Sequence, residues 1–465
     1  MAIWLVIITI VANFLGAKFL KIDKECTAHA SQLGGQQITC ANVTAKFFEN
    51  FTISLNRAHW MTCTNCTLGI LDENTFNFPR NNISFLFLNK ANVRMLKRFA
   101  FVRLSVLKVL ILKENCIENI DQKALSSIKK LTQLDLSKNN IRILTNNLFI
   151  DLENLDILSL NFNGIFYIQP DAFVGLKNLR YLYLSNNFLT KLEEKMFKYV
   201  TSLKILYLEN NCIFDIHYLA FYNLQNLNYL YVNNNSINYL VQFNFKPLSS
   251  LIDLQLRFNN LTEIQTSSFN GLKSLKFLYL GDNQISSIKP YGFIGLESLE
   301  YLEMNNNNFE IINYTELCDI KNLKVLWLEN NSISNFQIDY KSEVQNSLVV
   351  LGLGYNNFTV LNYKLLYNKV PNVKDIYVND NEWKCELFVN MYNFFDSFNV
   401  SLCSNNNCNP NATKTYIDTL CNPVKSDDNL DDNNFPMDFS TDSSSSLAKL
   451  SIIVFSAIPI LFVNM

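Results

Sequence analysis

The segment LRYLYLSNNFL sets Leu179, Leu182, Leu184, Asn187 and Leu189 at fixed offsets, and the same frame returns every 24 residues. Copies begin at Leu107, Leu131, Leu155, Leu179, Leu203, Leu227, Leu251, Leu275, Leu299 and Leu323. Side chains of an extended strand alternate between faces, so the fourth and sixth places of each copy share one face, which is buried. Past the strand, an apolar residue recurs at the fourteenth place (Ile120, Leu144, Ile168, Leu192, Ile216, Leu240, Ile264, Ile288, Ile312). Phe recurs at the nineteenth: Phe149, Phe173, Phe197, Phe221, Phe245, Phe269 and Phe293. No single copy can bury these ladders, so neighbours must stack into one continuous core. The ninth-place row, Asn115 through Asn331, sits where the chain turns out of the strand. A side-chain amide there can satisfy backbone groups that burial would orphan.

This pattern resembles the typical extracellular leucine-rich repeat, over roughly residues 58 to 421. The resemblance implies an α/β solenoid: a horseshoe of about 14 repeats with a concave parallel β-sheet and disulfide caps at both ends. Met61, Cys63, Cys66, Leu68 and Leu71 fit the frame as a degenerate first repeat, with the cysteines in the places of a Leu and the Asn. Leu348/Leu351/Leu353/Asn356 and Val373/Ile376/Val378/Asn381 follow as last copies after 25-residue steps. The expected organisation is a signal peptide over 1–17, an N-terminal cysteine cap over 18–57 and repeats over 58–383. A C-terminal cysteine cap over 384–421, an acidic stalk over 422–446 and a terminal apolar segment over 447–465 complete it.

The start of the chain is a short apolar run ending in small residues and followed by Lys18 and Lys21, the pattern of a secretory signal. Asn42, Asn50, Asn65, Asn82, Asn234, Asn260, Asn313, Asn330, Asn357, Asn399 and Asn411 each open an N-x-S/T acceptor triplet. Eight of the eleven cysteines flank the regular repeats: Cys26, Cys40, Cys63 and Cys66 before them, Cys385, Cys403, Cys408 and Cys421 after. Disulfide-stapled caps suit an oxidising compartment, although four cysteines per cap leave three pairings each. Asn381-Glu-Trp383-Lys-Cys385 is similar to the entrance of the family's C-terminal cap, but Leu387 stands where a second Cys is usual. Cys116 and Cys212 occupy one repeat place four copies apart, about 20 Å at ~4.8 Å per strand, beyond disulfide reach. With Cys318, they are expected to be free, semi-buried thiols.

Residues 422–446 are acidic, polar and without apolar periodicity, the composition of an unstructured stalk. Small residues, a polar spacer and the apolar run Leu450 to Val463 match a GPI-attachment signal, with Ser443 as the expected attachment residue. A short single-pass anchor or a secreted form is the alternative. The expected site of action is thus the outer leaflet at the cell surface.

The only histidines are His29, His59 and His217, spread too far along the chain to converge on a nucleophile or metal, so no enzyme and no cofactor is expected. With a net charge of −2 and no basic run, nucleic acid is not the expected partner. The third, fifth and seventh repeat places point away from the leucines. They carry an aromatic strip: Tyr181, Tyr229, Phe277 and Tyr301 at the third, with Tyr183, Tyr207, Tyr231, Tyr279, Trp327 and Tyr377 at the fifth. Amphipathic rings of this kind supply binding hot spots, and they also help neighbouring strands to pack. Among them lie Asp135, Glu209, Asp253, Arg257, Glu303, Glu329 and Asp375. The sequence therefore points to binding of an extracellular protein ligand or co-receptor. The architecture is similar to chaoptin- and connectin-like adhesion proteins and to Toll-like ectodomains, which implies adhesion or recognition. Innate-immune recognition is the alternative.

Overall fold

The computed structural model describes residues 20–21, 25–30, 36–50, 55, 57–78, 80–404, 408 and 410–421. The expected signal peptide, stalk, anchor and Ser443 lie outside the described residues. Two compact units are present, Met1–Glu303 with Asp319–Asn322, and Met304–Cys318 with Leu323–Met465. Both are parallel-sheet solenoid, of about 15 turns in all.

In the first unit each copy of the frame gives one three-residue strand, and the register advances by one period per strand. Leu158, Leu182, Leu206, Leu230, Leu254 and Leu278 are successive partners in parallel pairs, all fully buried. The Asn row fixes the exit from each strand. Asn187 accepts from the Ile165 N–H at 3.1 Å and donates to the carbonyls of Leu160 (3.1 Å) and Leu184 (2.9 Å), so one amide satisfies groups of two turns. Asn163 and Asn211 do the same for their neighbours. The residue just before each of these asparagines has φ between 52° and 57° from Glu114 to Asp282. That left-handed conformation suits the Asn found there in Asn186, Asn210 and Asn234.

The returning segments are turns, held by a second ladder. Phe173, Phe197, Phe221, Phe245, Phe269 and Phe293 stack ring on ring with centroids 6.0–6.3 Å apart, buried to within 1%. Gly175, at φ 98°, lies where an added Cβ would come within 2.4 Å of the Ile150 carbonyl oxygen. Close approach of successive turns therefore requires glycine at this point.

The N-terminal end adds strands to the same sheet. Gln36–Ala41 pairs antiparallel with Cys26–Ala30 and parallel with Ala58–Thr64. Cys26 faces Cys40 across the antiparallel pair and is bonded to it, while Cys63 bonds to Cys66. The second bridge joins the sixth and ninth places of the degenerate repeat, so a covalent link closes the turn that an Asn closes elsewhere.

In the second unit Val325–Trp327, Val350–Gly352, Asp375–Tyr377 and Ser401–Cys403 pair in parallel. The helix Cys385–Ser397 covers the last turns with Phe388, Met391 and Phe395 buried, and Pro410–Cys421 packs beside it. Cys385 bonds to Cys421 and Cys403 to Cys408. Trp383 donates from Nε1 to the Val378 carbonyl at 2.8 Å and stacks on Phe358, which seats the cap entrance without the usual second cysteine. Cys116 and Cys212 form no disulfide, but they are exposed rather than semi-buried: the tenth place follows the ladder Asn and points off the flank. Cys318 is half-buried and donates to the Tyr314 carbonyl. No helix among the described residues is long and apolar enough to cross a membrane.

Candidate binding face

Alternation puts the third, fifth and seventh places of each strand on the sheet face opposite the leucine core. Tyr181, Tyr183, Tyr207, Tyr229, Tyr231, Phe277, Tyr279 and Tyr301 all stand there in the first unit, and Trp327 and Tyr377 in the second. In-register parallel pairing brings like places together. Tyr183, Tyr207 and Tyr231 form a stack with centroids 4.6 and 4.8 Å apart and ring planes within 13°. Stacking buries the ring faces, leaving Tyr231 only 8% exposed. These three rings thus hold neighbouring strands together and present mainly their edges and hydroxyls. The third-place rings Tyr181 and Tyr229 stand outside the stack and are half-buried, as are Tyr183 and Tyr207.

The stack ends at Tyr231 because the next fifth-place residue is Gln255. Beyond it the face is polar and charged. Arg257 extends over the Tyr279 ring, 4.9 Å from its centroid, and donates to Glu303 two strands further on. Tyr301 donates to the same Glu303 carboxylate at 3.1 Å. Glu209 accepts from the Ser185 hydroxyl at 2.6 Å. Burial pushes the carboxyls of Glu209 and Glu303 above their ordinary range, although Ser185 and Arg257 respectively oppose the shift. Burial pushes Asp253 up to about 7, with the neighbouring Gln255 and Arg257 pulling the other way. The Tyr207, Tyr231, Tyr279 and Tyr301 phenols are likewise raised, first by burial and then by nearby carboxylates or rings.

In the second unit the fifth-place residue beside Trp327 is Gly352. A Cβ there would meet the Trp327 ring at 2.2 Å, so the indole folds over the glycine and packs 5.0 Å from Tyr377. Glu329, at the seventh place, is pushed up to about 7 by burial. The group of donors Asp375, Cys403 and Cys408 is of the kind that can hold a metal, but its two sulfurs are joined to each other.

The asparagines of the described acceptor triplets are exposed, except Asn313, which is half-buried with its carbonyl oxygen accepting from the Thr315 N–H and hydroxyl. The Asn411 side chain is outside the described residues. Asn234 and Asn330 stand at the eighth place, at the edge of the sheet face, each donating to the eighth-place Asn one strand before. What sequence reasoning missed is partners rather than positions: Ser185 for Glu209 and Arg257 for Glu303 show only when strands are placed side by side.

Residues 81–309 match the leucine rich repeat model in overlapping segments, 81–141, 137–189, 153–213, 179–237, 201–257 and 249–309. The chain is a leucine-rich repeat protein. No curated protein sequence matches it. Among solved structures, this leucine-rich repeat protein is similar to one from Leptospira interrogans, at 23% identity and TM-score 0.59 over 75% of this chain and 84% of that one. It is also similar to TLR13 in complex with ssRNA13, at 24% identity and TM-score 0.60 over 74% of this chain and 54% of that one. The LRIM1/APL1C complex gives 18% identity and TM-score 0.53 over 77% and 72%. At such identities the likeness concerns the fold.

Proposed function

We propose that this leucine-rich repeat protein binds an extracellular protein ligand on the sheet face of its first unit, in cell adhesion or recognition. The observation that carries the reading is the pair of half-buried third-place rings Tyr181 and Tyr229, one on each side of the buried Ile205, beside a rigid tyrosine stack and a cluster of buried carboxylates. Rigid aromatic area with few rotamers to lose is the composition of an interface core. TLR13 is solved with RNA and LRIM1 with APL1C, so both ligand classes occur on this fold. Charge supports protein here. In the first unit the three outward columns from Val109 to Glu303 hold Asp135, Glu209, Asp253 and Glu303 against Lys113 and Arg257, an excess of carboxylates that a polyanion would meet with repulsion.

Four disulfides near the chain ends support an oxidising compartment. The reading includes secretion, glycans on the exposed acceptor asparagines and a GPI anchor near Ser443. Release of the protein from cells by a phosphatidylinositol-specific phospholipase is the expected result, and retention on the treated cells contradicts the anchor.

The full chain, used as bait against a panel of extracellular proteins, should capture a ligand. Tyr181→Ala combined with Tyr229→Ala is expected to weaken that ligand at least about tenfold, the loss of one modest hot spot. Tyr291→Ala, at a residue 65% exposed on a returning turn, should leave affinity unchanged. Equal affinity of the double variant and the parent chain contradicts the proposal. A ligand borne by another cell favours adhesion, and a microbial or humoral ligand favours immune recognition.

A further inference from the structure

This inference rests on the sheet face being the ligand surface and names the chemistry of one contact on it. Asp253 occupies the third place of its strand, with Tyr229 and Phe277 in register on either side. Tyr231 and Tyr279 stand at the fifth places of the same two neighbours, flanking Gln255. The short carboxylate is walled by long rings, and only 8% of the residue is exposed. Its Oδ1 has no hydrogen-bond partner. The leucine core is not what buries it, because Leu254 points the other way and is itself fully buried.

Gln255 and Arg257 offset the burial of this carboxylate only in part. The Arg257 guanidinium is engaged by Glu303 and laid over Tyr279, with its own Nε unpartnered. A buried carboxylate lacking a counter-ion is costly, and it is repaired only by an ionic partner or by proton uptake. Ring quadrupoles around a negative charge are the surroundings that stabilise a guanidinium or ammonium group once it has left water. We infer that the Asp253 notch is a subsite for one basic side chain, Lys or Arg, of the protein ligand, with Asp253 as counter-ion and Tyr231 and Tyr279 as walls.

The charge state of the notch follows its surroundings. Arg257 and Gln255 face Asp253 from its own strand, Tyr229 and Tyr231 from the preceding one and Tyr279 from the following one; Tyr207, Glu209, Tyr301 and Glu303 lie one strand further. Burial holds the Asp253 carboxyl near 7, so a cation is welcomed above that pH and competes with a proton below it.

The test is titration of the full chain with acetyl-arginine amide and acetyl-lysine amide at pH 7.5, with acetyl-glutamine amide as neutral control. Saturable binding of at least one cationic probe is expected, weakened about tenfold or more in Asp253→Asn, the scale of one charge-assisted contact. It should be unchanged in Asp151→Asn, on a returning turn, and should weaken in the parent chain on going to pH 5.5. Asn is isosteric with Asp, so the variant folds. Absence of saturable binding, equal binding by the neutral probe, or equal binding by parent and Asp253→Asn chains overturns the inference. If a captured protein ligand loses affinity in the Tyr181/Tyr229 double variant but not in Asp253→Asn, the binding-face reading stands and this subsite is refuted.

Discussion

At Asn187 a single side chain, 4% exposed, serves one N–H and two carbonyls of two successive turns. Asn187→Ala strands the Ile165 N–H and removes one of two donors from the Leu160 and Leu184 carbonyls, which keep Asn163 and Asn211; at about 1–3 kcal/mol for a stranded buried group the expected cost is about 1–3 kcal/mol, read as a lower urea midpoint. Asp253 acts in the opposite sense. Its folded-state pKa, near 7, lies above the ordinary carboxylate value, so the folded chain holds the extra proton between about pH 4 and 7. The stability linked to that proton is full at acid pH and is lost as pH rises through 7. Asp253→Asn should therefore raise the melting temperature more at pH 8 than at pH 5; a drop at pH 8 contradicts the burial argument. The place of Asp253 on the outward face was legible from alternation. The reach of Arg257 across two strands to Glu303 was not, because a period records which residues align and says nothing of how far a long side chain extends.

The strands and the ring ladder behind them were legible together, since the 24-residue step places both every fourth-place leucine and every nineteenth-place Phe in register. Phe221 lies between Phe197 and Phe245 at 6.3 and 6.0 Å, fully buried. Phe221→Ala should cost about 3–5 kcal/mol, with the loss concentrated in the adjoining turns and visible as faster amide exchange there. The ends were harder to read. The antiparallel pairing of Cys26–Ala30 with Gln36–Ala41 has no periodic signal, and the frame that places Cys63 and Cys66 does not say that they bond to each other. Four cysteines at each end left three pairings open, and only the register of paired strands brings Cys26 opposite Cys40. Exposure of Cys116 and Cys212 escaped the sequence for a related reason: the tenth place has no fixed polarity along the repeats, holding Phe188 in one turn and Asn260 in another.

For the molecule as a whole, each turn contacts chiefly its neighbours, so stability is distributed along the stack while binding is concentrated wherever aromatic and charged columns coincide. In the first unit that coincidence falls on the strands from Tyr181–Tyr183 to Tyr301–Glu303. Glycans on Asn234 and Asn260 would border the region, and no acceptor triplet lies between Asn82 and Asn234. The most direct test of the account is hydroxyl-radical footprinting of the full chain, free and with its captured ligand. The account predicts protection of Tyr181, Tyr229 and Tyr301 in the complex, with Tyr291 and Phe188 labelled as before. Protection of Tyr291 or Phe188 with the three sheet-face tyrosines unchanged would place the ligand elsewhere and contradict it.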